Sequence, residues 1–404
     1  MKDVALAAVV LACNIRTSAE DWPRYRGLHG TGFSGETAWV KSGQPKVAWR
    51  AEVGLGYSSV TVSNGRAYTT GHDGRGKDTL FCMDALSGKE IWRYSYPQPL
   101  GDLYFQGGTT GTPSISGGKV FQTGREGEVF CLDSTTGALV WKKHLVVDLK
   151  LEKPDWGFTG GALVKDGLLF LNAGDSGVAL RVADGAPVWK SAGGVAGYSA
   201  PLPFQRGGKN LLLISDKRGY ACVDADSGKE QWRQKWLTRY GVNAADPIVQ
   251  GDLIFISTGY DKGALLLEWP GSGQPKALWQ SREMRTQMNP CVLHEGYLYG
   301  IDGDAGNDRT GLKCLEMRSG KTLWRQEDVG HGALIAADGH LLVLTEQGEL
   351  RIAPISPQGF HPSLTAKILE GRCWTQPSLS GGMLFARNQK GAVVCLDLRK
   401  SSKS

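Results

Sequence analysis

A single tryptophan recurs along most of the chain, and its spacing restricts the possible fold more than any other feature. Five segments end in this Trp and carry a Gly four residues before it: CMDALSGKEIW (82–92), CLDSTTGALVW (131–141), RVADGAPVW (181–189), CVDADSGKEQW (222–232) and CLEMRSGKTLW (314–324). A looser copy ends at Trp279, and KVAW at Trp49 lacks the preceding turn. Neighbouring copies, at Trp49, Trp92, Trp141, Trp189, Trp232, Trp279 and Trp324, lie 43 to 49 residues apart. This period is typical of the four-stranded blades of a β-propeller.

Each repeat unit contains four strand-like segments. Around Trp92 they are 58–64, 65–71, 79–85 and 89–96, with the first innermost and the last outermost. The segments are rich in β-branched and aromatic residues, and Gly, Asn or Asp separates them. Eight such inner hairpins are present, but the last unit stops at 393–400 without an outer strand, which KVAWRAEV (46–53) can supply. The sequence therefore predicts an all-β, eight-bladed propeller of four-stranded antiparallel blades over 46–398, with the ring closed by the N-terminal strand.

Cysteines raise the question of a metal or redox site, because five of the eight occupy one position of the repeat. They are Cys82, Cys131, Cys222, Cys314 and Cys395. Equivalent positions on five blades lie too far apart to share a metal, and the chain has neither close CxxC spacing nor CxxCH. We expect these residues to be small apolar fillers of the blade core.

The two ends of the chain differ from the repeats. Residues 1–19 resemble a secretory signal peptide, with Lys2 before a short apolar run. Two alternatives remain open: lipidation at Cys13 within the loose lipobox Val10–Cys13, and no processing. Residues 20–45 should form an extended lead-in packed on the ring, and 399–404 a frayed basic tail. We therefore predict export to the periplasm, with attachment to a membrane surface if Cys13 carries lipid.

Net charge and hydropathy exclude two classes of function. The formal net charge is +6, and no Lys- or Arg-rich block is long enough to bind nucleic acid. After residue 19 no apolar run approaches about 18 residues, so no transmembrane helix is predicted.

The repeated pattern D-x-x-S/T-G-K-x-x-W resembles the tryptophan-docking motif of the pyrroloquinoline quinone (PQQ) repeat propellers. That superfamily includes quinoprotein alcohol dehydrogenases and the outer-membrane assembly lipoprotein BamB. DWPRYRGLHGTGFSG (21–35) and GRCWTQPSLSGGMLFARNQKGAVVCLDL (371–398) resemble BamB-like exported proteins of planctomycete and verrucomicrobial bacteria. The resemblance implies that each repeated Trp packs between blades. It does not imply an activity, because catalytic and non-catalytic members share the motif. The seventh unit (352–369) has no Trp, so its blade should be looser or serve as an interaction surface.

Candidate ligand-binding residues stand where the chain enters the innermost strands, because propeller ligands usually lie over the central channel. The group is polar and aromatic, as a carbohydrate, quinone or peptide site would be: Tyr57, Ser58, Thr110, Thr159, Tyr198, Asn243, Asp246, Asn289, His331 and Trp374. The alternative interpretation is that these residues satisfy backbone groups at the strand ends. Flanking glycines at 330 and 332 predict an accessible His331.

One acidic turn could attract a hard cation. Asp302, Asp304, Asn307 and Asp308 supply oxygen ligands of the kind that Ca²⁺ prefers. The EF-hand spacing is absent, so a solvated Asp-Gly turn is the favoured interpretation. We therefore assign no metal ligands and no catalytic residues.

The functional prediction is a non-catalytic exported propeller, expected to be monomeric, that serves as a binding or assembly scaffold for an envelope protein or glycan. No cofactor is expected. One alternative is a PQQ-dependent dehydrogenase, which needs the quinone, Ca²⁺ and an Asp base, and in the alcohol dehydrogenases also an adjacent Cys pair. No two cysteines are adjacent here. A glycan-binding propeller is the other alternative, argued from the channel aromatics.

Overall fold

The computed structural model describes residues 20–102, 105–306 and 309–400. All regular structure in these ranges is β, arranged as eight sheets around a ring. Two strands precede the first complete blade: β1 (Phe33–Ser34) and β2 (Lys46–Glu52). No helix of the described ranges is long and apolar enough to cross a membrane. The predicted signal peptide and the lipidation site at Cys13 lie outside the described residues, as does most of the basic tail.

The first four blades each contain four consecutive antiparallel strands. The first blade contains β3 (Thr61–Ser63), β4 (Arg66–His72), β5 (Lys77–Asp84) and β6 (Glu90–Pro97), and the second contains β7 (Ser114–Ser116), β8 (Lys119–Thr123), β9 (Glu128–Asp133) and β10 (Leu139–His144). The third blade contains β11 (Leu163–Lys165), β12 (Leu168–Leu171), β13 (Val178–Arg181) and β14 (Pro187–Lys190). The fourth contains β15 (Leu202–Arg206), β16 (Lys209–Asp216), β17 (Gly219–Asp224) and β18 (Glu230–Lys235).

Blades five to eight continue the pattern, and the last borrows its outer strand. The fifth blade contains β19 (Ile248–Gln250), β20 (Leu253–Thr258), β21 (Gly263–Glu268) and β22 (Lys276–Ser281), and the sixth contains β23 (Val292–His294), β24 (Tyr297–Asp302), β25 (Gly311–Glu316) and β26 (Thr322–Gln326). The seventh blade contains β27 (Ala333–Ala337), β28 (His340–Leu344), β29 (Glu349–Pro354) and β30 (Leu364–Lys367). The eighth contains β31 (Ser378–Ser380), β32 (Met383–Arg387) and β33 (Ala392–Asp397). The eighth sheet has the order β2-β33-β32-β31, so the N-terminal strand completes it. The predicted eight-bladed fold and its closure are confirmed.

Each repeated Trp lies on an outer strand and reaches the next blade. The indole N–H of Trp92 donates to the carbonyl of Ser134 at 3.1 Å. A methyl group on Gly137, in the turn of that next blade, would lie 2.7 Å from the Trp92 ring. Six of the seven indoles donate to such a carbonyl, at 2.8 to 3.1 Å: Trp49, Trp92, Trp141, Trp189, Trp279 and Trp324. Because Gly is the residue without a Cβ, the turn can approach the indole face closely.

A β-bulge accompanies each of these tryptophans. In seven blades the pairing of the outer two strands shifts by one residue beside the Trp. A bulge turns a side chain away from the regular pleat, which directs the indole sideways to the neighbouring blade. On the third strand Cys82 lies directly opposite Trp92, and Cys395 lies opposite Trp49. All seven cysteines of the described ranges are free and buried.

The seventh blade has neither this Trp nor the bulge. Trp324 from the sixth blade instead stacks on Phe360, with ring centroids 6.2 Å apart, and donates to the carbonyl of Ser356. Every residue of β27 is buried, and β1 pairs with it in parallel as a fifth strand. The innermost strand of this blade is thus covered on its edge by β1, and a looser blade or an interaction surface stays a prediction.

The seam between the last and first blades contains a buried arginine. Arg387 on β32 has no exposed surface. Its guanidinium donates to the carbonyls of Thr70 at 2.7 Å, Gly54 at 3.0 Å and Ser58 at 3.2 Å, all in or next to the first blade. Arg387 thus joins the two ends of the ring through backbone acceptors.

The N-terminal segment, defined here as residues 20–36, crosses the centre of the ring. Trp22 pairs with Val62 in the first blade, and Pro23 accepts from the Ile115 amide of the second at 2.8 Å. Arg26 donates to the carbonyl of Cys291, next to the sixth blade, at 2.8 Å. Blades two and six stand on opposite sides of an eight-membered ring, so a segment that contacts both must pass over the axis.

Candidate functional site

The segments that lead into the innermost strands share one end of the ring with the connections between second and third strands. This follows because the strands of a blade alternate in direction. We call this end the upper face and the end with the Ser/Thr-Gly turns the lower face. All ten predicted site residues lie in the segments that lead into innermost strands. Their ligand-binding role stays a prediction.

Three of the predicted residues meet in one aromatic cluster. Tyr57 and Trp374 stack with ring centroids 5.7 Å apart and an interplanar angle of 23°. His331 meets Trp374 edge-on at 5.6 Å. Phe105, which sequence reasoning missed, lies 5.8 Å from Tyr57. Residues from the first, seventh and eighth blades and from the connection to the second blade thus converge.

Charged side chains surround this cluster, and the sequence did not identify them. The guanidinium of Arg372 lies 4.4 Å from the Trp374 ring and donates to Gln106 at 2.7 Å. The indole N–H of Trp374 donates to Glu346 at 2.9 Å. The only sequence signal is the spacing of Arg372 and Trp374, since residues two apart share one side of an extended segment. Glu346 comes from another connection, and only the fold places it here.

His331 is not accessible, contrary to the prediction from its flanking glycines. The residue is 1% exposed, and neither ring nitrogen makes a hydrogen bond with the described residues. Burial lowers the pKa of His331 to about 4, although Glu346 and the backbone of Gly303 act in the opposite direction. The imidazole is therefore neutral at pH 7 and packs under Trp374.

Four other predicted residues satisfy the backbone at strand ends, as the alternative interpretation proposed. Asn243 donates to the carbonyl of Asp216 at 2.8 Å, and Asn289 donates to that of Gly332 at 2.9 Å. The Ala200 amide donates to Asp246 at 2.8 Å. Ser58 is wholly buried, and its hydroxyl donates to a neighbouring carbonyl.

The remaining three predicted residues lie apart from the aromatic cluster. Tyr198 meets Trp156 edge-on at 5.8 Å, which makes a second, smaller aromatic pair on the upper face. Thr110 and Thr159 are partly buried. The ten residues therefore do not form one continuous site.

The two described carboxylates of the acidic turn, Asp302 and Asp304, already have partners in the protein. Asp302 is fully buried and forms ion pairs with Arg325 at 2.8 Å, Lys313 at 3.0 Å and Arg285 at 3.1 Å. Burial opposes the ionisation of Asp302, but Arg285 and Lys313 outweigh it and lower its pKa. Asp304 accepts from the Tyr260 amide, and Asn307 and Asp308 lie outside the described residues.

The residues present do not fit the calcium-bound quinone of the dehydrogenase alternative. In the part of the chain that the structure describes, no three His, Cys, Asp or Glu side chains are grouped to hold a metal ion. On the upper face Glu346 already accepts from Trp374 and from the His331 amide, at 2.9 and 3.0 Å. Such a site needs several free oxygen ligands.

Comparison with known proteins identifies the family. The family described as "Outer membrane protein assembly factor BamB" matches residues 98–326, more than half of the chain. The chain belongs to this family. The resemblance of the repeats to the BamB-like PQQ-repeat propellers is thereby confirmed. The planctomycete and verrucomicrobial type stays a prediction.

The individual relatives of this BamB-family chain include assembly factors and quinoprotein dehydrogenases. The outer membrane protein assembly factor BamB of Burkholderia pseudomallei is 24% identical over 342 residues, which cover 79% of each protein. A quinoprotein ethanol dehydrogenase of Pseudomonas aeruginosa is 29% identical over 226 residues, which cover 51% of this chain but 35% of the enzyme. BamB from Moraxella catarrhalis superimposes with a TM-score of 0.63 at 16% identity, over 88% of this chain and all of that one. The last likeness shows the fold alone.

Proposed function

We propose that this protein is a non-catalytic scaffold of the cell envelope that takes part in outer membrane protein assembly. The name of its relatives supports this role, and their match extends over most of both chains. The predicted signal peptide is consistent with an envelope location. In this proposal the upper face binds the assembly partner.

The observation that carries the proposal is the aromatic cluster with Arg372. Tyr57, Phe105, Arg372 and Trp374 are each only partly buried, so each keeps part of its surface accessible to solvent. Aromatic residues and Arg are enriched where proteins bind one another, because they supply contact area and directed hydrogen bonds together. The stacking of Tyr57 on Trp374 holds these groups in place before a partner arrives.

The same cluster is poorly arranged for acid–base catalysis. A general base must reach the proton that it removes. His331 is buried beneath Trp374, and the Glu346 carboxylate is engaged by the Trp374 indole. Recognition by a fixed aromatic surface is therefore the function that this geometry supports best.

The proposal can be tested by complementation of a deletion strain. We expect that loss of the gene lowers the amount of folded outer membrane proteins and that the wild-type chain restores it. Arg372→Ala and Trp374→Ala should each fail to restore it while keeping the wild-type circular dichroism spectrum. Lys89→Ala, at an exposed turn of the lower face, is the matched control and should complement fully.

A second measurement addresses the enzymatic alternative. The purified protein is titrated with PQQ and Ca²⁺ while dye-linked alcohol oxidation is followed. Saturable binding with turnover would contradict a non-catalytic role.

In the complementation test, restoration of folded outer membrane proteins by both upper-face variants would contradict the location of the partner site.

A further inference from the structure

A cavity of about 460 Å³ opens on the lower face, away from the aromatic cluster. Its walls are the N-terminal segment and the innermost strands of blades two, three and four, β7, β11 and β15. All three residues of β7 and of β11 line it, so the cavity follows these strands as far as Ser116 and Lys165, where they turn back. The volume lies within the range of small-molecule sites.

Arg24 lines this cavity with a guanidinium that has no carboxylate in direct contact. The residue is 9% exposed, and its Nε donates to the Leu28 carbonyl at 3.4 Å. Within the described ranges its two terminal nitrogens make no hydrogen bond, and the guanidinium forms no ion pair within 4.0 Å. A buried guanidinium normally has acceptors, because removing a charge from water without a partner is costly.

The local charge balance is positive. Arg26 is 2% exposed, and its Nε lies 3.9 Å from Asp246. The same carboxylate is the one that favours the charged form of Arg24, so two buried guanidiniums share one buried carboxylate. Burial lowers the pKa of Arg24 to about 10, which still leaves the side chain charged at pH 7.

The rest of the lining includes both basic and apolar residues. His29 and Lys165 add basic groups to Arg24, and no acidic residue of the described chain lines the cavity. Ile115, Leu163 and Phe204 supply apolar surface. An anion with an apolar portion matches both kinds of lining residue, since the fork of an Arg side chain can hold a carboxylate through two hydrogen bonds.

We propose that this cavity binds an organic carboxylate with an apolar chain. The carboxylate lies on the Arg24 guanidinium, and the chain lies against Ile115 and Leu163. The site is separate from the upper face, so it does not depend on the proposed assembly function.

Calorimetric titration of the purified protein with octanoate tests this site. We expect saturable binding of octanoate, and at least about tenfold weaker binding of both octanol and inorganic phosphate. Octanol lacks the charge and phosphate lacks the chain. Equal binding of octanoate and octanol, or of octanoate and phosphate, would overturn the proposal.

Two variants locate the site. Arg24→Met should weaken octanoate binding at least about tenfold and leave the melting temperature equal or higher, because it removes an unpaired buried charge. Leu28→Glu places an acid at the cavity mouth, where Leu28 is 47% exposed and the fold should tolerate it, and should weaken binding similarly. Arg282→Met, at a largely exposed arginine elsewhere, is the control. Unchanged octanoate affinity in either test variant would show that the cavity is not the site.

Discussion

Replacement of Trp by Phe should change the free energy of unfolding differently at two equivalent positions of the repeat, Trp92 and Trp232. Phe keeps an aromatic ring but removes the indole N–H. At Trp92 this N–H donates to the carbonyl of Ser134 at 3.1 Å. The Trp232 indole is also buried, but its nitrogen has no hydrogen-bond partner among the described residues. Trp232 meets Trp269 edge-on at 5.6 Å instead.

The difference in stability between the two variants follows from the hydrogen bonding of each indole N–H, because the loss of buried ring area is similar at both sites. Trp92→Phe loses about 1 kcal/mol of apolar burial and about 1 kcal/mol for the hydrogen bond, so it should destabilise by about 2 kcal/mol. Trp232→Phe loses the same apolar burial. It also removes a buried N–H donor without a partner, whose presence destabilises the wild-type protein by about 1–3 kcal/mol. We expect its stability to be equal to or above the wild type. The two variants should differ by about 2–4 kcal/mol in the free energy of unfolding.

Urea unfolding followed by far-ultraviolet circular dichroism measures this difference without depending on Trp fluorescence. Trp141→Phe is a second reference, since Trp141 is 8% exposed like Trp92 and donates to the Val182 carbonyl at 2.9 Å. It should behave like Trp92→Phe. The reasoning is refuted if Trp232→Phe lowers the urea midpoint as much as the other two variants.

Three further predictions concern buried polar and sulfur groups. Asp78 is 4% exposed, and burial raises its pKa to about 7 from 3.8, so the folded state retains a proton that the unfolded state releases. Stability should therefore fall by up to about 4 kcal/mol as the pH rises through this window, and Asp78→Asn should abolish the fall in urea titrations at several pH values. Arg387→Met should cost about 2–4 kcal/mol, because three backbone carbonyls each lose a hydrogen bond from the guanidinium, with partial recovery in Arg387→Lys. An unchanged urea midpoint would contradict the role of Arg387 in joining the two ends of the ring. Cys82→Ala should cost about 1 kcal/mol or less, far below Trp92→Ala at about 3–5 kcal/mol, and loss of an activity in the folded Cys82 variant would contradict its role as a filler.

Much of the fold could be predicted because the propeller repeats a local pattern. The Gly and Trp of five units are four residues apart, so their turn and outer strand can be recognised without long-range information. Closure could also be predicted, since a unit without an outer strand and a strand without a unit stand at opposite ends of the chain. The pairing of Trp49 with Cys395 shows this closure directly.

The candidate site could be predicted only in part. Tyr57, His331 and Trp374 were identified from their position before innermost strands, and the structure brings them together. Phe105 and Glu346 were missed, because they come from other connections, and only the packing of neighbouring blades brings them to the cluster. The accessibility of His331 was predicted wrongly, since flanking glycines describe the backbone but not what covers the ring.

The sequence by itself determined the architecture, the number of blades and the end at which the ring closes, because these depend on period and strand order. Only the tertiary structure decided the path of residues 20–36 across the axis, the missing partner of the Trp232 indole and the unpaired charge of Arg24. Each of these depends on which distant backbone or side-chain groups come within hydrogen-bond reach. Spacing along the chain carries no information about such contacts, since they are made between segments that lie far apart in the sequence and meet only in the folded ring.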